Sequence, residues 1–153
     1  MTYLPRVVAF GILAGSGWSW APGILNQLLQ DQGEALTVLA SGMATGVVVS
    51  LLLYRPLLRV SLGGAALLGA VSLPLGAFVF AVTISVVHLL AQAVTGESYR
   101  FAEGGFEPIL NGVRYAQYSV LYGLIPHLGW GRLLFPMAVL TTLCLQRTVS
   151  PLR

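Results

Sequence analysis

Two histidines, a group of acids and a few arginines are the side chains here with chemistry to offer, and His88 has the most organised surroundings. Ala77, Ala81, Ser85, His88, Gln92 and Thr95 follow one another at steps of three or four, which sets them on one face of a helix. Phe78, Phe80, Val82 and Val86 fall mainly off that face. A stripe of small and polar side chains belongs against other helices, where backbones can approach and polar groups find partners. His88 is therefore expected to point into a bundle as a neutral imidazole bonded to a hydroxyl, carbonyl or amide. The alternative pairs it with His127: two neutral imidazoles can ligate the iron of haem b or a metal, or one can hydrogen-bond a quinone carbonyl. No flanking motif accompanies either histidine, and no dedicated metal site is expected.

The charged candidates lie further along. Glu97, Arg100, Glu103, Glu107 and Arg114 crowd into one polar connection, and Arg132 follows beyond an apolar run. Ser85, Gln92, Arg100, Glu103, Glu107, Arg114 and Arg132 form the candidate set for binding a substrate or partner. Arg132 has two possible settings. If the last apolar segment begins at Gly131, its side chain can snorkel to a membrane surface. If that segment begins near Val120, Arg132 is deep and costs ~3 kcal/mol unless Glu103 or Glu107 pairs with it. No GxSxG, HExxH, P-loop, GxGxxG or paired-histidine motif occurs, so no catalytic residue is assigned and an enzyme is not expected.

The elements that must position these residues are set by composition. With 56% hydrophobic and 8% charged residues and a mean hydropathy of +0.82, the 153-residue chain cannot cover a water-facing surface. Lipid is the expected solvent, and the fold class is an all-α polytopic membrane protein in one domain. The net charge of +3 comes without a basic cluster or nucleic-acid motif, which excludes nucleic acid as a partner. Cys144 is the only cysteine, so an internal disulfide and a CxxC motif are excluded.

Leu62 to Val94 carries no charge and as a straight helix would run ~50 Å, against a hydrocarbon thickness of ~30 Å. It is expected to bend or divide at Pro74, with 62–73 near one membrane face and 74–95 crossing. The other crossings are expected at 6–29, 35–54 and 131–146. The first is interrupted from Trp18 to Gly23, with an end near Trp20 and a short interfacial helix after Pro22 as the alternative. Met1 to Ser16 has the outline of a signal peptide and is expected to be retained as the start of that crossing. Gln30 to Glu34 reads as a polar turn, 96–114 as an outer loop, and 115–128 as an interfacial or re-entrant helix, too short to span. Tyr115, Tyr118 and Tyr122 lie on one face of it, as an interfacial aromatic belt.

Arg6, Arg55, Arg59, Arg147 and Arg153 fall on one side of this four-crossing layout, which the positive-inside rule makes cytoplasmic along with both termini. All five acids fall on the other. A bacterial inner (plasma) membrane is the expected location. Gly11 with Gly15 and Gly42 with Gly46 are two GxxxG spacings in successive helices, expected to pack together, with an oligomer interface as the alternative. The leading expectation is a small non-catalytic subunit that packs with other membrane proteins or with its own copies. A small oligomeric transporter or channel for an ion, lipid or small solute comes next. A haem- or quinone-binding redox subunit built on His88 and His127 is the third.

Overall fold

A computed structural model describes residues 3–19, 32–96, 107–124 and 131–149, and every regular element among them is an α-helix. In chain order these are α1 (Leu4–Ser19), α2 (Gln32–Leu57), α3 (Leu62–Thr95), α4 (Glu107–Leu124) and α5 (Gly131–Val149). Two stretches, Leu36–Leu57 and Leu62–Thr95, are long and apolar enough to cross a membrane. Only 22% of the most apolar part of each is buried.

Helix α3 has clear start and stop signals. Ser61 is extended and its Oγ accepts from the Gly64 N–H, capping the first turn. Gly96 takes the left-handed conformation (φ 74°) and donates its N–H to the Gln92 carbonyl at 2.8 Å, closing the last. Between them the helix is continuous for 34 residues, about 51 Å. It is thus not divided at Pro74, the break the sequence suggested. Proline removes a single N–H, the donor to the Ala70 carbonyl, and the helical bonds on either side carry the backbone through.

Other boundaries shift as well. Helix α2 already includes Gln32, Gly33 and Glu34, so the polar turn expected up to Glu34 stops short of them. Arg55 in the last turn meets the negative end of the helix dipole. Helix α4 starts at Glu107, which shortens the expected loop and takes Arg114 into the helix. Pro108 sits in its first turn, where a missing N–H has little cost. At 18 residues, about 27 Å, α4 is not excluded from spanning by length alone. Helix α5 begins at Gly131 as expected and runs past Gln146 to Val149. Helix α1 ends at Ser19, and the residues expected to interrupt the first crossing after that lie outside the described ones.

Packing rests on backbone approach. Helices α1 and α2 run antiparallel with their GxxxG glycines interleaved, and a Cβ on Gly11 would lie 2.6 Å from the Val47 Cα. One on Gly15 would overlap the Gly42 carbonyl, and one on Gly46 the Gly11 carbonyl. The two glycine pairs are therefore spent on each other within the chain. Helix α3 is central, packed by α2, α4 and α5. Gly69 receives the Val139 backbone of α5, and Gly112 of α4 sits on Phe78.

Val7, Leu53, Leu57, Ala65, Leu145 and Val149 form one buried cluster. It joins the start of α1, the end of α2, the start of α3 and the end of α5 at one end of the bundle. Gln146 Nε2 clamps the same end, donating to the carbonyls of Leu57 (3.3 Å) and Val60 (3.0 Å).

Gly15→Ala is expected to lower unfolding stability by ~1–3 kcal/mol, because a methyl group enters occupied space. Gly17→Ala, whose Cβ meets nothing within 4 Å, should be neutral or stabilising by about 0.5–1 kcal/mol through helix propensity. Denaturation midpoints of the two variants measured side by side check this.

Candidate functional site

The interior of the bundle is unusually polar for so apolar a chain. Ser19, Ser41, Thr45, Ser50, Ser85, His88 and Thr142 are buried, while Leu13, Leu36, Leu62, Leu67, Leu90 and Val94 are among many large apolar residues that face outward. Buried polar groups need partners, and among the described residues none of their side-chain N or O atoms lacks one. Most of the hydroxyls donate to the carbonyl one turn back: Ser19 to Gly15, Ser41 to Thr37, Thr45 to Ser41, Ser85 to Ala81 and Thr142 to Ala138, all at 2.7–2.9 Å.

Besides Gln146, side chains reach between helices at three places, the first being Ser19 Oγ of α1, which lies 3.5 Å from the Val38 carbonyl of α2. Thr45 Oγ1 of α2 and Thr83 Oγ1 of α3 are 2.9 Å apart, and Thr83 also approaches the Ser41 carbonyl at 3.4 Å. Ser72 of α3 and Thr142 of α5 are 3.4 Å apart. The sequence reading missed these pairs. The available signal was Ser41 and Thr45, spaced four apart and interleaved with Gly42 and Gly46 on one helix.

His88 is 2% exposed, and its Nδ1 lies 2.9 Å from the Ile84 carbonyl. A carbonyl only accepts, so Nδ1 carries the proton, and in the neutral ring Nε2 holds the lone pair. The histidine thus points into the bundle bonded to a carbonyl of its own helix. Along its stripe Ala81 and Ser85 are buried with it, Ala77 and Gln92 are half-buried, and Thr95 is exposed with Oγ1 donating to the Ala91 carbonyl. The small polar face enters the bundle at its middle and surfaces at the end of α3.

The remaining candidates do not assemble around His88 among the described residues. His127, Arg100 and Glu103 lie outside them, so the pairing of the two histidines does too. Glu107 opens α4, and Arg132 falls in the first turn of α5. No group of three His, Cys, Asp or Glu residues able to hold a metal ion is present among the described residues.

Arg114 is different. It is exposed on α4, on an outward face with Leu110, Gln117, Tyr118 and Leu121, opposite the Gly112 that rests on Phe78. Tyr115 and Tyr118 are exposed beside it, while the side chain of Tyr122, the third of the expected tyrosine face, lies outside the described ones. The structure therefore offers two separate polar features: a satisfied seam inside, and an arginine on an outward helix face.

The chain matches no protein-family model, and neither the curated proteins nor the solved structures contain a match to it.

In a double-mutant cycle, Thr45→Val and Thr83→Val should couple by about 0.6 kcal/mol, the usual size for an interhelical hydrogen bond, and by no more than ~1.7 kcal/mol. Unfolding free energies of the two single variants and the double variant measure it.

Proposed function

We propose that this chain is a small integral membrane subunit that works by packing against a partner membrane protein, with no catalysis of its own. Lipid as its solvent is supported by the inverted distribution of side chains, polar groups satisfied inside and large apolar ones outside. Helices α1, α2, α3 and α5 are the four crossings in this reading. The start of α1 and the end of α5 meet in one buried cluster, which favours an even number of crossings and makes α4 re-entrant. Arg6, Arg55, Arg59 and Arg147 are exposed around that end, which the positive-inside rule assigns to the cytoplasm.

The observation that carries the partner is the level of Arg114. Thr83 bonds to Thr45, near the middle of Leu36–Leu57. Phe78, under Gly112, is about 7.5 Å along α3 from Thr83, and Arg114 is about 3 Å along α4 from Gly112. Whichever way α4 runs, the Arg114 Cα falls roughly 5–11 Å from mid-level, within a hydrocarbon half-thickness of ~15 Å. A lone arginine facing lipid there costs about 2.5–3.5 kcal/mol. A carboxylate on a neighbouring membrane helix removes that cost, and Gln117 offers hydrogen bonds beside it.

The same geometry speaks against a solute path. Leu110 and Leu121 bracket the polar positions on the outer face of α4, interrupting any continuous polar line. Inside, the hydroxyls of α2 and α3 are engaged with carbonyls and with each other.

The test is native electrophoresis of the protein extracted from its own membranes in mild detergent. The wild type should migrate as a complex with a second membrane protein, and Gln117→Cys should crosslink to it. Arg114→Leu should weaken that complex by ~2–5 kcal/mol, roughly thirtyfold or more, while Arg114→Lys retains part of it. A monomeric wild type, or an Arg114→Leu chain that assembles unchanged, rules the reading out.

A further inference from the structure

We propose that the turn between α2 and α3 binds an anionic phospholipid, its phosphate held by Arg55, Arg59 and Arg147 and its acyl chains lying on Leu52, Leu58 and Leu62. The proposal rests on the membrane reading above but not on any protein partner. Three observations converge on this turn.

The first is placement. Gln146 Nε2 donates to the carbonyls of Leu57 and Val60, so the end of α5 that carries Arg147 lies at the turn that carries Arg59. Arg55 lies one helical turn earlier, four residues before Arg59. Its Nε donates to Tyr54 Oη at 2.9 Å and its guanidinium stands 5.8 Å from the centre of that ring, which limits its freedom before any ligand arrives.

The second is charge. All three arginines are exposed, and none makes an ion pair among the described residues. No acid occurs between Glu34, in the first turn of α2, and the end of α3 at Thr95. Helix α2 ends at this turn and α3 begins at it, so their dipole ends offset and the arginines set the sign of the charge there. Guanidinium groups bind phosphate through paired N–H bonds, so this unbalanced charge suits a phosphodiester.

The third is apolar surface, which separates a lipid from a free anion. Leu52, Leu58 and Leu62 are exposed by 54%, 50% and 68% directly beside the arginines. Phosphate alone gains nothing from them, whereas a lipid covers them.

The experiment uses the full-length protein purified in a neutral detergent, with lipid retention followed by native mass spectrometry and stability by thermal unfolding. Phosphatidylglycerol should be retained and should raise the melting temperature, with phosphatidylcholine and inorganic phosphate doing neither. Arg59→Gln with Arg147→Gln should cut phosphatidylglycerol retention at least tenfold while the protein stays monodisperse and helical. If that pair does not fold, Arg55→Gln alone, at the exposed end of α2, should lower retention several-fold, and raised salt should do the same to the wild type. Equal retention of the two lipids, or unchanged binding by the variants, overturns the proposal. Stabilisation by inorganic phosphate equal to that by lipid overturns the lipid assignment. A protein that is folded and monodisperse in plain buffer ends the membrane reading itself, whereas one that needs detergent but ignores headgroup charge ends only this proposal.

Discussion

Polar groups inside this bundle must find their partners within the chain, because the side chains packed around them are largely apolar and an unpaired buried polar group is costly. The hydroxyls meet that constraint in the cheapest way available to a helix, by donating to the carbonyl one turn back. His88 does the same through Nδ1. What remains for holding helices together is close backbone approach and a few cross-helix contacts. The glycines therefore act beside the buried cluster of Val7, Leu53, Leu57, Ala65, Leu145 and Val149. Gly11, Gly15, Gly42 and Gly46 bring α1 onto α2, Gly69 admits α5 to α3, and Gly112 admits α4.

Much of this was legible in the sequence. The all-α class follows from uncharged runs too long for strands, and the mutual packing of the GxxxG pairs follows from their spacing in successive helices. The end of α2 near Tyr54 to Pro56 and the start of α5 at Gly131 were also marked, by an aromatic, a breaker and a glycine. Of the two outcomes expected at Pro74, a bend or a division, division does not occur, because proline removes one donor while α3 has helical bonds on both sides of it and buried residues at Gly69 and Leu73. The starts of α2 and α4 were placed late because Gln32 to Glu34 and Glu107 to Asn111 look like loop by polarity. A helix's first turn prefers such residues.

The candidate site was legible only in part. The burial of His88 and Ser85 followed from the stripe's period, since an apolar chain has only its interior to offer such groups. Thr45, Thr83, Ser72 and Thr142 were invisible, because a single hydroxyl in an apolar run looks the same whether it faces a neighbour or its own backbone. Arg114 was named as a binding residue but set at the edge of a loop. The role proposed for it rests on the contact between Gly112 and Phe78, a tertiary fact that no local pattern encodes.

The central claim is that the outward apolar faces of α2 and α3 meet lipid or another membrane helix rather than water. Val86 is an exposed residue of α3 close to the level of Thr83. Val86→Cys, with Cys144→Ser to remove the native thiol, reports its surroundings directly. In native membranes that cysteine should resist a water-soluble maleimide for as long as the protein is folded and react fully once it is denatured in SDS. Rapid labelling of the folded protein would contradict the account.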